Sequence, residues 1–332
     1  MKTYLLIILG SLLLISCEDA LIPEDATDSP AGNFNTLWTY VDRYYPYFAE
    51  KGVDWDSVRR VYEPQIRPDM TDEELFGVLG AMLNTLKDGH TNLFAPFETS
   101  FYDNALLYPV NFSLETVAFH YLGAAPEDST ITTDYPGFFV NLLPDDILYV
   151  YYASFGNSAD QIALIIKAYP EARGMILDIR SNGGGDGDFA LDLAGHFTPQ
   201  RELVAFYTQK IGPAHDDIST PLPVYVDPRA PLFNKRVMVL TNRGVYSAGS
   251  NFVEYVKHFE NVTIVGDTTG GGAGSPIDSE LPNGWTFRIS QSPFLGKDGF
   301  DFEEGTPPDI VAMDDPNTLE TDEIIERALE EF

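Results

Sequence analysis

Short apolar runs alternate with amphipathic stretches along the second half of this chain, and this alternation restricts the possible folds more than any other feature. Runs rich in Val, Ile, Leu and Tyr predict buried strands, and longer stretches with one apolar face predict helices. The predicted strands span residues 147–152, 174–180, 237–241 and 262–265, and the predicted helices span residues 159–168, 188–196 and 248–258. Strands that alternate with helices favour a mainly parallel sheet with helices on its faces. The sequence therefore predicts an α/β fold.

A smaller helical region precedes this predicted α/β core. Apolar side chains recur at helical spacing near its start, at Leu37, Tyr40, Val41, Tyr44 and Tyr45. Further along, residues 71–74 have the sequence TDEE, which is typical of a capping box at the start of a helix. We expect the helical region to span residues 33–90 and the α/β core to span residues 91–332.

The N-terminus has the features of a secretory signal. Residues 1–16 carry one lysine and then an apolar run that is too short for a stable membrane anchor. The sequence LISC at residues 14–17 resembles the lipobox of bacterial lipoproteins, in which the cysteine is acylated after the preceding peptide is removed. The resemblance implies lipidation of Cys17, followed by a flexible acidic tether over residues 17–32. The alternative is an ordinary signal peptide with a chance cysteine.

Composition restricts the partners of the mature protein. The chain has 51 acidic and 20 basic residues, which gives a formal net charge of −31. A surface this acidic repels phosphate backbones and anionic lipid, so we expect no binding to nucleic acid, and membrane attachment only through acyl chains at Cys17. A single cysteine also excludes intramolecular disulfides. The expected location is the cell envelope, on the outer membrane, facing either the periplasm or the outside.

Ser247 is a candidate nucleophile because of its place between a strand and a helix. It follows the predicted strand 237–241 and a polar turn, and small residues after it begin the next predicted helix. Free amides of the first helical turn can stabilise the oxyanion of an acyl-transfer intermediate. Taken alone, Ser247 is equally consistent with a simple helix cap.

Two glycine-rich turns predict loops that face a substrate. Residues 183–185 are three consecutive glycines after the predicted strand 174–180, and residues 270–274 form a second glycine-rich stretch. Glycines let bare backbone amides approach a substrate carbonyl closely. Neither stretch has the Gly-Lys-Ser/Thr ending of a phosphate loop or the Rossmann spacing, so no nucleotide cofactor is expected.

His90 directly follows the amphipathic helix that is predicted to end near Leu86, where a turn can direct its ring into a cleft. A lone histidine in this position is also compatible with a structural role. The other histidines are His120, His196, His215 and His258, and they show neither an HExxH motif nor paired spacing. We therefore expect no metal site.

Five segments occur in an order that resembles the C-terminal processing (tail-specific) protease family and its tricorn-core and retinoid-binding-protein relatives. These segments are DGHT at 88–91, DIRSNGGG at 178–185, TNRGVYSAGS at 241–250, GDTTGGG at 266–272 and EEGTPPDI at 303–310. The resemblance covers the chain from about Asn33 to Ala312. It implies a ClpP/crotonase-like, mainly parallel β core with flanking helices.

The resemblance also implies roles for individual residues. It places the nucleophile at Ser247, one oxyanion-hole amide at Ala248, and the other at Gly184, with Gly185 as the near alternative. The roughly fifty residues between His90 and Ile147 are fewer than a small domain needs, so we expect no PDZ domain of the kind that processing proteases commonly carry. Recognition of substrate C-termini is therefore not implied.

The sequence departs from the Ser/Lys members of this family. Gly272 occupies the position of their catalytic lysine, and no lysine occurs between Lys257 and Lys297. Tricorn-like relatives use a histidine from the segment where His90 lies, and a neutral imidazole can accept the serine proton at neutral pH. In tricorn-like relatives a glutamate shortly before the Gly-x-x-Pro-Asp segment belongs to the catalytic group. The register of this sequence is off by one there, and the resemblance implies Glu303, with Glu304 as the alternative.

The sequence thus predicts a serine endopeptidase that acts on peptides or unfolded proteins at the cell envelope. His90 is the expected base, and His258, on the helix after Ser247, is the next candidate. The alternative is a catalytically inactive binding protein of the same fold, with an apolar ligand or a peptide in its pocket. A surface-complex component that uses the peptidase fold as a scaffold is a third possibility.

Overall fold

The computed structural model describes residues 27–103, 107–124, 132–315 and 317–332. The predicted signal peptide, Cys17 and most of the predicted tether lie outside the described residues. Within these ranges, no helix has both the length and the apolar character needed to cross a membrane.

Three helices begin the described chain, and a short 3-10 turn follows the second of them. They are α1 (Pro30–Tyr44), α2 (Trp55–Tyr62) and α3 (Asp72–Asn84). The predicted capping box is confirmed. The Thr71 hydroxyl accepts a hydrogen bond from the Glu74 amide, and the Glu74 carboxylate accepts one from the Thr71 amide. Helix α1 begins three residues before the predicted boundary at residue 33, because Ser29 caps it by accepting from the Gly32 amide.

A six-stranded sheet forms the centre of the molecule, with the strand order β13-β9-β8-β5-β4-β3. Its strands are β3 (Phe138–Leu143), β4 (Ile147–Tyr152), β5 (Gly174–Asp178), β8 (Arg236–Thr241), β9 (Val262–Gly266) and β13 (Ile310–Val311). All neighbouring strands are parallel except β3, which pairs antiparallel with β4. The predicted mainly parallel core is confirmed, and each predicted strand matches an observed one within two residues.

Helices cover both faces of this sheet. They are α4 (Leu114–His120), α5 (Gln161–Ala168), α6 (Gly187–Gly195), α7 (Ala248–Val256) and α8 (Glu323–Leu329). Alternate side chains of each strand point to opposite faces. Leu148 and Val150 of β4 therefore pack with α5, α6 and α7, whereas Tyr149 packs on the other face with α4 and α8.

Two smaller sheets complete the fold. The first has the order β10-β11-β1-β2, and the second has the order β12-β6-β7. Their strands are β1 (Asn92–Phe94), β2 (Thr99–Phe101), β6 (Glu202–Tyr207), β7 (Leu222–Val226), β10 (Ser275–Glu280), β11 (Thr286–Ser292) and β12 (Phe294–Gly296). The described part of the segment between α3 and β4 contributes strands and α4 to these layers, and it contains no PDZ-like domain.

The N-terminal helices share their apolar core with the four-stranded sheet. Leu37 of α1 and Leu79 of α3 belong to the same buried cluster as Leu93 of β1 and Phe287 of β11. The predicted division at residue 90 therefore does not coincide with a break in the apolar core. This packing also brings the segment after α3 against the end of the central sheet.

Candidate active site

Ser247 lies at the entrance of α7, after the turn that follows β8. Its backbone has φ 55° and ψ −124°, a conformation that non-glycine residues rarely adopt. Its amide donates to the Gly271 carbonyl at 2.9 Å. Although Ser247 occupies the N-cap position, its side chain makes no capping hydrogen bond to α7. The hydroxyl is therefore directed away from the helix amides, and strained residues of this kind cluster at functional sites.

His90 meets this hydroxyl from the turn between α3 and β1. Its Nε2 lies 3.0 Å from Oγ of Ser247, across 157 residues of sequence. The ring is buried, with 7% of the residue exposed, and it packs edge-on against Tyr246 at 5.0 Å between ring centres. The sequence-predicted nucleophile and base are thus in hydrogen-bond contact, within the distance required for proton transfer.

Asp88 fixes the turn that carries His90. One carboxylate oxygen of the buried Asp88 accepts from the His90 amide at 2.8 Å, and the other accepts from the Ser290 hydroxyl at 2.9 Å. Sequence reasoning missed Asp88, although its position two residues before His90 is typical of an Asp that accepts from a nearby backbone amide.

Burial sets the charge state of the His90 ring. Burial lowers the pKa of His90 from its ordinary 6.5, the charge of Asp88 opposes this shift, and Arg288 adds to it. The imidazole is therefore neutral at neutral pH and can accept a proton. The Gly274 backbone also raises the pKa slightly, but Nδ1 has no partner with hydrogen-bond geometry among the described residues.

Glu303 lies in the same buried region but does not bond to His90. One of its carboxylate oxygens accepts from the Gly274 amide at 3.2 Å, and the other lies 3.7 Å from the Lys51 ammonium. Burial and the charge of Asp88 raise the pKa of Glu303 to about 8, although Lys51 lowers it. The alternative, Glu304, has a side chain that is 78% exposed and pairs with Lys51 at 2.5 Å. Sequence reasoning gave no signal for Lys51, which arrives from the N-terminal region.

Two backbone amides beside Ser247 have no hydrogen-bond acceptor within the described ranges. They belong to Ala248 and Gly185, and both residues line the cavity next to the serine. The Gly184 amide instead donates to the Asn182 side chain at 2.9 Å. The geometry therefore favours the alternative, Gly185, over Gly184 as the second oxyanion donor. The glycine at residue 184 leaves room for the Ser247 side chain, because a Cβ at residue 184 would lie 2.8 Å from Cβ of Ser247.

Gly272 explains why a lysine base has no place here. Its φ is +70°, and a Cβ at this position would lie 2.2 to 2.6 Å from three ring atoms of Tyr246. The Gly272 amide also donates to the Glu303 carbonyl at 2.9 Å, which holds the loop in place. The Tyr246 ring thus occupies the space that a side chain at residue 272 would need.

A cavity of about 280 Å³ opens beside Ser247. Apolar side chains from α6, α7 and the small sheets form most of its wall: Leu191, Tyr207, Val224, Tyr255, Pro276 and Phe294. Asn251, one helical turn after Ser247, contributes a buried amide oxygen that has no partner in the described parts of the chain. The cavity can hold one large apolar side chain of a bound substrate.

His258, the second candidate base, lies beyond the opposite end of α7. Eleven residues at 1.5 Å each separate it from Ser247, which corresponds to about 16 Å along a helix. Its nearest charged neighbour is Glu254, at 3.7 Å. The geometry therefore excludes a direct role for His258 as the base.

Comparisons with known proteins give family and structural matches along most of the chain. Residues 146–312 match the model of peptidase family S41, and residues 27–84 match that of the tricorn protease C1 domain. The structure of a candidate peptidase from Parabacteroides merdae is 38% identical, with a TM-score of 0.83, over 92% of this chain and 96% of that one. No protein of curated function matches the sequence.

Two more distant structures share the fold. The photosystem II D1 C-terminal processing protease is 18% identical, with a TM-score of 0.57, over 89% of this chain and 98% of that one. Mature CPAF in complex with lactacystin is 12% identical, with a TM-score of 0.67, over 91% of this chain and 97% of that one. The family match covers half of this chain, and the P. merdae structure aligns along nearly all of it. The chain therefore belongs to peptidase family S41 and is a serine-type peptidase.

Proposed function

We propose that this protein is a serine endopeptidase in which Ser247 is the nucleophile and His90 is the base. The 3.0 Å contact between Nε2 of His90 and Oγ of Ser247 carries this proposal. The neutral imidazole takes the hydroxyl proton as Oγ attacks the peptide carbonyl, and the resulting imidazolium returns the proton to the leaving amine. Water, activated by the same ring, then hydrolyses the acyl-enzyme.

Backbone amides would stabilise the oxyanion during both steps. The Ala248 and Gly185 amides are the best placed, because each lines the cavity and neither donates to another described residue. The first-turn position of Ala248 adds the partial positive charge of the α7 N-terminus. A non-catalytic binder of the same fold would need neither these amides nor a strained serine in contact with a buried histidine.

Two carboxylates, Asp88 and Glu303, would support His90 in place of a single third catalytic residue. Asp88 stabilises the imidazolium by its charge and orients the ring through the backbone. Glu303 accepts from the Gly274 amide, and the Gly274 backbone also acts on the His90 ring. We propose that Glu303 assists through Gly274 and through its own charge once it is deprotonated, and not by a direct hydrogen bond.

The cavity restricts the substrates of this endopeptidase. An extended peptide can place one side chain among Leu191, Tyr207 and Phe294 while its carbonyl reaches Ser247. A folded protein rarely offers such a segment, so peptides and unfolded proteins are the proposed substrates. Their site of cleavage should follow a large apolar side chain.

Hydrolysis of an unfolded protein tests this function. The mature chain, with Cys17→Ser to keep it free of lipid, is incubated with casein, and the cleavage sites are mapped by mass spectrometry. We expect internal cleavage by the parent protein and none by Ser247→Ala, while Ser158→Ala, in the loop between β4 and α5, retains the parent rate. Unchanged cleavage by Ser247→Ala would refute the assignment.

We further propose attachment to the cell envelope through acylated Cys17. The sequence LISC at the end of the apolar run supports this location. Expression of the full chain in a bacterium with lipoprotein processing should place it in the membrane fraction, with its mass increased by acyl chains. The Cys17→Ser variant should lose the added mass. Loss of the signal peptide without any added mass would contradict lipidation.

A further inference from the structure

Three potential metal ligands meet at the C-terminal end of α7, at the opposite end of the helix from Ser247. They are Glu254 and His258, one helical turn apart, and Asp298 from the turn after β12. One ligand atom from each lies within 4.8 Å of the other two. This cluster has no part in the proposed peptidase mechanism.

The carboxylate of Glu254 is completely buried and only half satisfied. Its Oε2 atom accepts from the Thr306 hydroxyl at 3.0 Å and lies 2.8 Å from the Lys257 ammonium. Its Oε1 atom has no hydrogen-bond partner among the described residues. An unsatisfied carboxylate oxygen in a buried position is costly, so it usually marks a missing partner.

His258 directs a second unsatisfied atom at the same point. Its Nε2 atom is buried without a partner in the described ranges and lies 3.7 Å from Oε1 of Glu254. Two buried polar atoms without hydrogen-bond partners therefore lie side by side, and a cation bound between them would satisfy both.

Gly296 keeps this approach open. A Cβ at residue 296 would lie 2.2 Å from Oε1 of Glu254, so any other residue would push the carboxylate aside. The Lys257 ammonium pairs with Oε2 of Glu254 and packs on the Phe300 ring at 4.6 Å. Its charge is therefore directed at Oε2 and not at Oε1. The free oxygen of Glu254 therefore remains available beside His258 and Asp298.

We propose that Glu254, His258 and Asp298 bind one divalent cation of the zinc class. Imidazole nitrogen and carboxylate oxygen are both zinc ligands, whereas Ca²⁺ and Mg²⁺ prefer oxygen ligands alone. Ligands about 2.1 Å from a tetrahedral ion lie roughly 3.4 Å apart, which is close to the observed separation of Oε1 and Nε2. A water molecule would complete the coordination.

The ion would connect two segments that both lead to the active site. Helix α7 begins at Ser247, and the turn that carries Asp298 continues into Glu303. A cation between them would hold these segments in a fixed relation and would raise the stability of the folded protein by mass action. Its role is therefore structural.

Zinc titration of the mature chain tests this site, with Cys17→Ser to remove the thiol. We expect saturable binding of one Zn²⁺ by calorimetry and an increase in Tm, with no comparable effect of Mg²⁺ or Ca²⁺. His258→Asn and Asp298→Asn, at half-buried and exposed positions, should each weaken binding at least tenfold. His120→Asn removes an exposed histidine elsewhere and should bind zinc as the parent does.

Absence of 1:1 zinc binding would overturn the proposal. Equal zinc affinity in His258→Asn, Asp298→Asn and the parent protein would overturn it as well, because binding would then come from the acidic surface. None of these variants touches Ser247 or His90, so the test is independent of the peptidase assignment. Co²⁺ provides a second readout, since its visible absorption is intense in a tetrahedral site and should be lost in His258→Asn.

Discussion

At the scale of single residues, reactivity depends on the surroundings of His90. Burial favours the neutral ring, and the adjacent charge of Asp88 favours the imidazolium that forms during the reaction. The two influences oppose each other in the resting enzyme, and burial has the larger effect. In the proposed mechanism the base is thus free at neutral pH, while the charge that stabilises its protonated form is already in place.

The pH dependence of kcat/KM should report this balance. Protonation of His90 removes the base, so activity should fall as the pH decreases through a value below 6.5, because burial lowers the pKa of His90. A further rise in kcat/KM should appear near pH 8, where Glu303 loses its proton and its charge begins to assist His90. Peptide hydrolysis measured from pH 4.5 to 9.5 checks both features. An acid limb centred above pH 6.5 would contradict the burial argument.

Asp88→Asn should slow catalysis without unfolding the protein. The amide keeps the size of the side chain and can still accept from the His90 backbone, but it removes the negative charge near the imidazolium. We expect kcat to fall on the order of tenfold or more and the acid limb to move to still lower pH. The control is Asp69→Asn, whose carboxylate is 87% exposed. An unchanged pH profile in Asp88→Asn would refute this role.

At the scale of elements, the loop between β9 and β10 supports the proposal that His90, and not a lysine at residue 272, is the base. Gly271 and Gly272 both have positive φ values and lie directly against the Glu303 backbone and the Tyr246 ring. The loop therefore fixes Tyr246, and Tyr246 packs on His90. A histidine base and a glycine at residue 272 are parts of one arrangement.

Gly272→Ala should be more destabilising than Gly299→Ala. Both positions have positive φ values, but a Cβ at Gly299 has no atom within 4 Å, whereas a Cβ at Gly272 meets the Tyr246 ring. The control should lose about 1 kcal/mol, and Gly272→Ala should lose a further 1 to 3 kcal/mol, roughly, from overpacking. Urea unfolding of both variants measures the difference. Equal losses would mean that the ring moves aside freely.

Local patterns in the sequence predicted the parallel strands β4, β5, β8 and β9 and the start of α3, because apolar runs and a capping box are local signals. They did not predict β3 and β13 at the edges of the central sheet. The choice between Gly184 and Gly185 was not predictable, because it depends on where the Asn182 side chain points. The approach of Lys51 to Glu303 was not predictable from local patterns, since 252 residues separate them in the chain. Asp298 likewise lies far along the chain from Glu254 and His258, so its approach to them was missed for the same reason.

At the scale of the whole molecule, the site exists only where three parts of the chain meet. His90 comes from the turn after α3, Ser247 from the central sheet, and Glu303 from the segment before β13. The apolar core shared by α1, α3, β1 and β11 holds the turn of His90 in place, and the contact of His90 with Ser247 joins that turn to the central part of the molecule. The N-terminal helices therefore help to position the proposed base.

Phe287→Ala should lower the free energy of unfolding of the protein. The Phe287 ring is fully buried and packs edge-on against Tyr40 at 4.9 Å between ring centres. Its removal should cost about 3 to 5 kcal/mol. Because α1 and α3 share this apolar cluster with β1, which directly follows the turn of His90, loss of activity and loss of helical circular dichroism should coincide on heating. Phe97→Ala, at a ring that is 46% exposed, is the control and should cost far less. Activity lost well before helical structure would contradict a shared core.

Covalent labelling with a fluorophosphonate tests the central claim most directly, because the probe reacts with an activated serine and needs no knowledge of the substrate. Intact mass and peptide mapping of the mature Cys17→Ser chain should show one adduct, located on Ser247. Ser247→Ala should not be labelled, and His90→Ala should be labelled far more slowly, while both remain folded by circular dichroism. An adduct on another residue, or labelling of His90→Ala at the parent rate, would contradict the Ser247 and His90 mechanism.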